Sequence, residues 1–171
     1  MTLVPIYNRI IIPNGKVYII SDRYRMVTGQ LPQVGERVIL LLSREEDSWK
    51  ELTEEGFYPV GVGGTVTDVS KNGYCIVETT DRVSLDAING KGAFHAELSI
   101  SRIPDEEEMD PEIEQPRVNR MKQKLYEFLS TVPWGVMAKS YLKNMESVGE
   151  IASALSIWMS NTSEEKYRVL L

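Results

Sequence analysis

Leu52 to Leu85, LTEEGFYPVGVGGTVTDVSKNGYCIVETTDRVSL, is the stretch whose reading decides the fold. An acidic loop delivers into a glycine-rich apolar run, which reaches Lys71-Asn72-Gly73 and then a second apolar run from Tyr74. Asn-Gly tolerates the positive φ angles of a tight reversal, and between two runs rich in β-branched residues it predicts a hairpin. Gly61, Gly63 and Gly64 precede a strand instead of opening a helix, so they do not build the anion site of a nucleotide loop. They read as a hinge or bulge where two backbones approach closely.

Upstream, Arg9–Ile12 and Lys16–Ile20 flank Pro13-Asn14-Gly15, which predicts a hairpin or a strand-loop-strand opening. Arg37–Ser43, RVILLLS, is continuously apolar and too short for a good helix, and it reads as a central strand buried on both faces. Downstream, Asn89–Gly92 marks another turn. Phe94, Ala96, Leu98 and Ile100 then alternate with His95, Glu97, Ser99 and Ser101, the pattern of a half-buried strand. Short strands separated by turns, with no long helix between them, indicate an antiparallel sheet or small barrel over residues 1–103.

Pro104–Pro116, PDEEEMDPEIEQP, has no apolar period and reads as an acidic linker over 104–116. After Pro116, which suits a first helical turn, Val118, Met121, Leu125 and Phe128 recur at i, i+3, i+7 and i+10, and Val132-Pro133 closes that helix. Ser147-Val148-Gly149-Glu150 is a capping-box pattern ahead of a stripe of Ile151, Leu155 and Trp158, and Thr162-Ser163-Glu164-Glu165 is a second such start. Residues 117–171 therefore read as a helical unit, and the chain as α+β.

A chain of 171 residues buries roughly 70% of its unfolded surface and needs no disulfide or metal staple. The net charge of −6 and pI near 5.0 argue against a nucleic-acid footprint, which needs clustered cations. Cys75 is the sole cysteine, which excludes an intramolecular disulfide and a cysteine zinc cluster and fits a reducing compartment. The opening MTLVPIYNRIIIP lacks the pattern of a secretory signal, and no segment approaches the ~20 apolar residues that span a bilayer. These features read as a soluble, cytoplasmic protein with no membrane partner.

Chemistry-bearing residues are sparse. His95 reads as a surface histidine on a polar strand face, and Cys75 as a buried thiol without a partner base. Asp105, Glu106, Glu107, Glu108 and Asp110 lack the glycine turn and ligand spacing of a calcium loop. No G-x-x-x-x-G-K-[ST] occurs, so no phosphate loop is expected. The reading assigns no catalytic, cofactor-binding or metal-binding residue. Trp49, Leu52, Phe57, Tyr58, Trp134 and Met137 stand apart, because they fall in loops or at segment junctions and are candidates for an apolar surface that binds other polypeptides. The acids Glu45, Glu46, Asp47, Glu51, Glu54 and Glu55 around the first four of these would favour basic clients.

The run from Val62-Gly63-Gly64-Thr65-Val66 through Lys71-Asn72-Gly73 to Glu78 and Arg82 resembles the signature segment of the amino-terminal domain of Lon-type ATP-dependent proteases. Pro5–Pro13, PIYNRIIIP, and the closing SEEKYRVLL are similar to that domain's first strand and to the start of its long final helix. The resemblance implies a PUA-like β pseudobarrel followed by a C-terminal helical bundle, and a non-catalytic substrate-recognition role. Binding would be to unfolded or degron-bearing proteins, with hexamers formed only by a full-length protease and the isolated chain monomeric or weakly associating. One departure is plain. The family's amphipathic helix after the second strand cannot be long here, because Gly29, Pro32 and Gly35 interrupt Val27–Gly35. A free-standing adaptor of the same fold is an alternative, and a PUA-like RNA-binding module is another, against which the acidic charge speaks.

Overall fold

A computed structural model describes residues 1–89, 97–103, 111–155 and 162–171. In chain order the elements are β1 (Thr2–Tyr7), β2 (Lys16–Ile20), α1 (Ser21–Thr28), β3 (Arg37–Ser43), β4 (Phe57–Val69), β5 (Tyr74–Asn89) and β6 (Glu97–Arg102). The helices α2 (Pro111–Leu129), α3 (Gly135–Lys143), α4 (Val148–Leu155) and α5 (Ser163–Arg168) follow. The expected α+β class is observed.

The sheet runs β1-β3-β4-β5-β2, with β6 also on β5. Lys71-Asn72-Gly73 makes the β4–β5 turn as expected, with Gly73 at φ 83°. The sixteen-residue β5 is shared, its first half pairing with β2 and its second with β6. Bulges in β4 at Val62/Gly64 and Val66/Asp68 bend the sheet. The glycines serve that bend through close approach, for a Cβ on Gly61 would lie 2.5 Å from the Leu40 carbonyl and one on Gly64 2.7 Å from the Glu78 carbonyl.

Two strand expectations are corrected. The first strand is Thr2–Tyr7 and not Arg9–Ile12, and it pairs parallel to β3, from Thr2↔Val38 to Tyr7↔Ser43, so the opening is no hairpin and the sheet is not wholly antiparallel. β2 pairs with β5 instead. β1 and β2 thus end the ordered sheet, and α1 lies between them, placing Tyr24 and Val27 among Val4, Ile6, Val17 and Ile19. That helix closes the pseudobarrel. It stops at Thr28, where Gly29 takes the left-handed cap, as the break in the sequence required.

β3 is buried on both faces, and its residues divide by alternation. Val38, Leu40 and Leu42 face the barrel interior, while Ile39 and Leu41 meet Leu3, Leu52, Phe57, Val83 and Ile88 on the outer face.

α2, α3 and α4 share a separate core of Val118, Leu129, Ala138, Leu142 and Ile151. α2 begins at Pro111, with Pro116 inside it, so a linker over 104–116 extends too far. α3 was not expected from the sequence. The capping box before α4 is present, with Glu150 N–H donating to Ser147 Oγ at 3.1 Å and Ser147 N–H to Glu150 Oε2 at 3.4 Å. The box before α5 is also complete.

A single helical unit over 117–171 is the further correction, because α5 returns to the barrel. Tyr167 and Leu170 complete the barrel core. Lys166 is buried and its Nζ donates to the Asn8 carbonyl at 3.1 Å. Ser163 Oγ donates to the Ser43 carbonyl, and Arg82 to the carbonyls of Leu170 and Leu171. The strand expected from Ala93 is seen only as β6, because His95 and its neighbours lie outside the described residues, as do Asp105–Asp110 and Trp158.

Candidate functional site

The six residues singled out by sequence separate into two places. Leu52, Phe57 and Tyr58 are buried, Phe57 at 1% exposure. Phe57 and Leu52 fill the outer-face core, and Tyr58 the barrel core, stacked on Tyr167. These three form no accessible surface, which corrects the reading of Trp49–Tyr58 as a docking segment. The acidic loop joins the neighbouring strands β3 and β4 and uses its apolar side chains as anchors, leaving its carboxylates in water. Trp49 is half-buried against the barrel core, with the Arg23 guanidinium 6.0 Å from its ring centroid and the Lys50 ammonium 5.8 Å away.

Trp134 and Met137 are exposed, at 45% and 72%. Both sit at the corner between α2 and α3, together with Phe128 at 56% and Val136 at 81%. The chain reverses sharply there, since a Cβ on Gly135 would stand 1.7 Å from the Leu129 carbonyl. The reversal projects the side chains on either side of it outward.

The apolar period read from the sequence groups Phe128 with Val118, Met121 and Leu125 on one face, and the structure corrects this. At 100° per residue, position i+10 from Val118 falls well off the buried stripe while i+11 returns to it, so Leu129 is buried and Phe128 is not. The period itself could have found this. Val136 carried no such signal.

Nucleophile chemistry finds no support among the described residues. Cys75 is fully buried, and burial pushes its thiol pKa up. Ser130 and Lys139 make the one contact with the composition of a serine-lysine pair among the described residues, with Lys139 Nζ 2.6 Å from Ser130 Oγ. Ser130 Oγ donates its own proton to the Tyr126 carbonyl at 2.7 Å, so the lysine is the donor and no base faces the hydroxyl. The pair closes the end of α2. No group of three His, Cys, Asp or Glu side chains among the described residues could hold a metal, and no helix among them is long and apolar enough to cross a membrane.

No family model and no curated protein matches this chain. Among solved structures, the N terminal domain of Mycobacterium avium complex Lon protease is similar, with a TM-score of 0.57 and 16% identity over 98% of this chain and 87% of that one. A Lon N-terminal domain protein from Xanthomonas campestris is similar over 92% of this chain and 96% of its own, at 15% identity and a TM-score of 0.43. At these identities the likeness concerns the fold alone. The pseudobarrel followed by helices is the architecture of a Lon N-terminal domain.

Proposed function

We propose that this chain, which has the fold of a Lon N-terminal domain, is a non-catalytic substrate-recognition module of a Lon-type ATP-dependent protease, or a free-standing relative acting as an adaptor. It holds unfolded or degron-bearing segments in the cytoplasm so that a motor elsewhere can process them. The observation that carries this reading is the exposed corner of Phe128, Trp134, Val136 and Met137 on that fold. Large apolar side chains gathered at one exposed place mark binding surfaces, and methionine adapts to varied partners. Their helical scaffold holds them while leaving them in water.

Binding of a denatured model protein by the intact chain is the test. Replacing Trp134 and Met137 with alanine is expected to weaken it by up to ~1–2 kcal/mol, with the melting temperature nearly unchanged because both side chains are exposed. Equal binding by wild type and variant would remove this corner from the function.

A further inference from the structure

Ile113, Arg117, Arg120, Lys124 and Phe128 follow one another along α2 at steps of four, three, four and four residues. Such steps keep side chains on one side of a helix. Val118, Met121, Leu125 and Leu129 occupy the neighbouring side, about 100° round the helix, against α3 and α4. All five residues of the outer strip are exposed, and the apolar ones stand at its two ends, Ile113 at 51% and Phe128 at 56%. Three cations lie between two apolar anchors.

The charge is local and runs against that of the chain. Residues 113–143, from the first residue of the strip to the end of α3, hold six lysines and arginines against two acids, Glu114 and Glu127, in a chain of net charge −6. The pairs Lys16–Glu78, Lys50–Asp47, Arg102–Asp81 and Arg168–Glu164 engage none of Arg120, Lys122, Lys124, Lys139 and Lys143. Lys122 donates to the Lys143 carbonyl at 3.2 Å and Lys139 to Ser130 Oγ. Those two ammonium groups are therefore held at the α2–α3 seam without being neutralised.

We propose that this side of α2 is a charge-selective strip that takes short polypeptide segments carrying carboxylates between apolar side chains. The proposal rests on the client-binding reading above, since Phe128 belongs both to the strip and to the exposed corner. From Ile113 to Phe128 the helix rises ~22 Å, the reach of an extended segment of about seven residues. Apolar anchors at both ends ask for apolar side chains in the partner, which a phosphate backbone lacks. A longer polyanion would also run onto the remainder of the chain, where the acids are in excess. Single exposed charge pairs contribute little to affinity, so the strip acts by selection, drawing acidic segments and repelling basic ones.

Fluorescence anisotropy on the intact chain tests this with three labelled seven-residue peptides. They share apolar ends and differ in a middle that is acidic, neutral or basic. At low salt the acidic peptide is expected to bind about tenfold tighter than the basic one, with the ratio shrinking as salt rises. The double variant Arg120→Glu/Lys124→Glu should invert the order, whereas Trp134→Ala/Met137→Ala should weaken all three alike. Circular dichroism checks that the charge-reversed chain is folded, and the peptide order on the unaltered chain decides the matter if it is not.

The failures are distinct. Binding of none of the peptides would sink the client-binding reading and this proposal with it. Equal binding of all three, unmoved by charge reversal, would overturn the proposal and leave client binding standing. A single-stranded oligonucleotide that bound more tightly than the acidic peptide and displaced it would overturn the proposal in favour of a nucleic-acid surface.

Discussion

Tyr167 of α5 stacks on Tyr58 at the start of β4, with ring centroids 4.3 Å apart and planes 18° from parallel. The Arg44 guanidinium also lies over the Tyr58 ring, 4.4 Å from its centroid. This contact ties the last helix to the barrel across the whole intervening helical core. Truncating Tyr167 to alanine is expected to cost ~3–5 kcal/mol of folding free energy, as for other buried aromatics. A double-mutant cycle with Tyr58→Leu and Tyr167→Leu should return a coupling of ~0.5–1.5 kcal/mol in urea denaturation. Purely additive losses would mean that the rings contribute only buried area.

The return of α5 predicts the behaviour of truncations. A chain ending at residue 103 lacks Tyr167, Leu170 and the Lys166–Asn8 bond, and it should melt well below the intact chain. A peptide of residues 162–171 added in trans should raise that melting temperature. Replacing Lys166 with alanine in the peptide leaves the Asn8 carbonyl without its donor and should cost ~1–3 kcal/mol of the gain. A 1–103 fragment as stable as the whole chain would refute the shared core.

Adjacent glycines in β4 should respond differently to one methyl group. A Cβ on Gly64 meets the Glu78 carbonyl at 2.7 Å and Val77 Cγ1 at 2.8 Å, whereas on Gly63 its nearest neighbour is Thr80 Oγ1 at 3.4 Å. Gly64→Ala should destabilise by ~1–3 kcal/mol through overpacking against backbone. Gly63→Ala should stay within ~1 kcal/mol, because an ordinary contact offsets the entropy that alanine saves in the unfolded chain. Thermal melts of the two variants decide it.

Alkaline pH should unfold the chain through groups buried as neutral acids. Burial raises the pKa of Tyr24, which also lies beside the Glu36 carboxylate without a hydrogen bond of good geometry, and burial likewise raises Cys75 and Tyr167. A folded pKa above the unfolded one means that the unfolded chain ionises first. The stabilisation is therefore complete below the ordinary thiol and phenol range, and it falls as pH rises through ~8.5–10 and beyond. Tyr24→Phe should flatten that fall while costing less than ~1 kcal/mol at pH 7, since the hydroxyl is unpartnered. Identical alkaline profiles for Tyr24→Phe and wild type would contradict it.

Much of the fold was legible because it rests on short-range chemistry. The Asn72-Gly73 turn, the doubly buried Arg37–Ser43 strand and both capping boxes follow from local conformational preference and apolar period. Each was found where the residues placed it. The candidate surface was less legible. An aromatic in an acidic loop reads the same whether it faces water or folds under, and Phe57 and Tyr58 fold under. Trp134 and Met137 are exposed beside Gly135, where the close approach to the Leu129 carbonyl lets the chain reverse between α2 and α3.

By itself, then, the sequence determined strands, turns, helix starts and the order of a β part followed by helices, all of which depend on neighbours a few residues apart. The tertiary structure alone decided that β1 lies parallel to β3, that α1 closes the barrel between β1 and β2, and that α5 leaves the helices to fill the barrel core. These are pairings between distant segments. They are chosen by which apolar faces can be buried together at the least cost in chain entropy, and that choice has no local signature in the residues that make it.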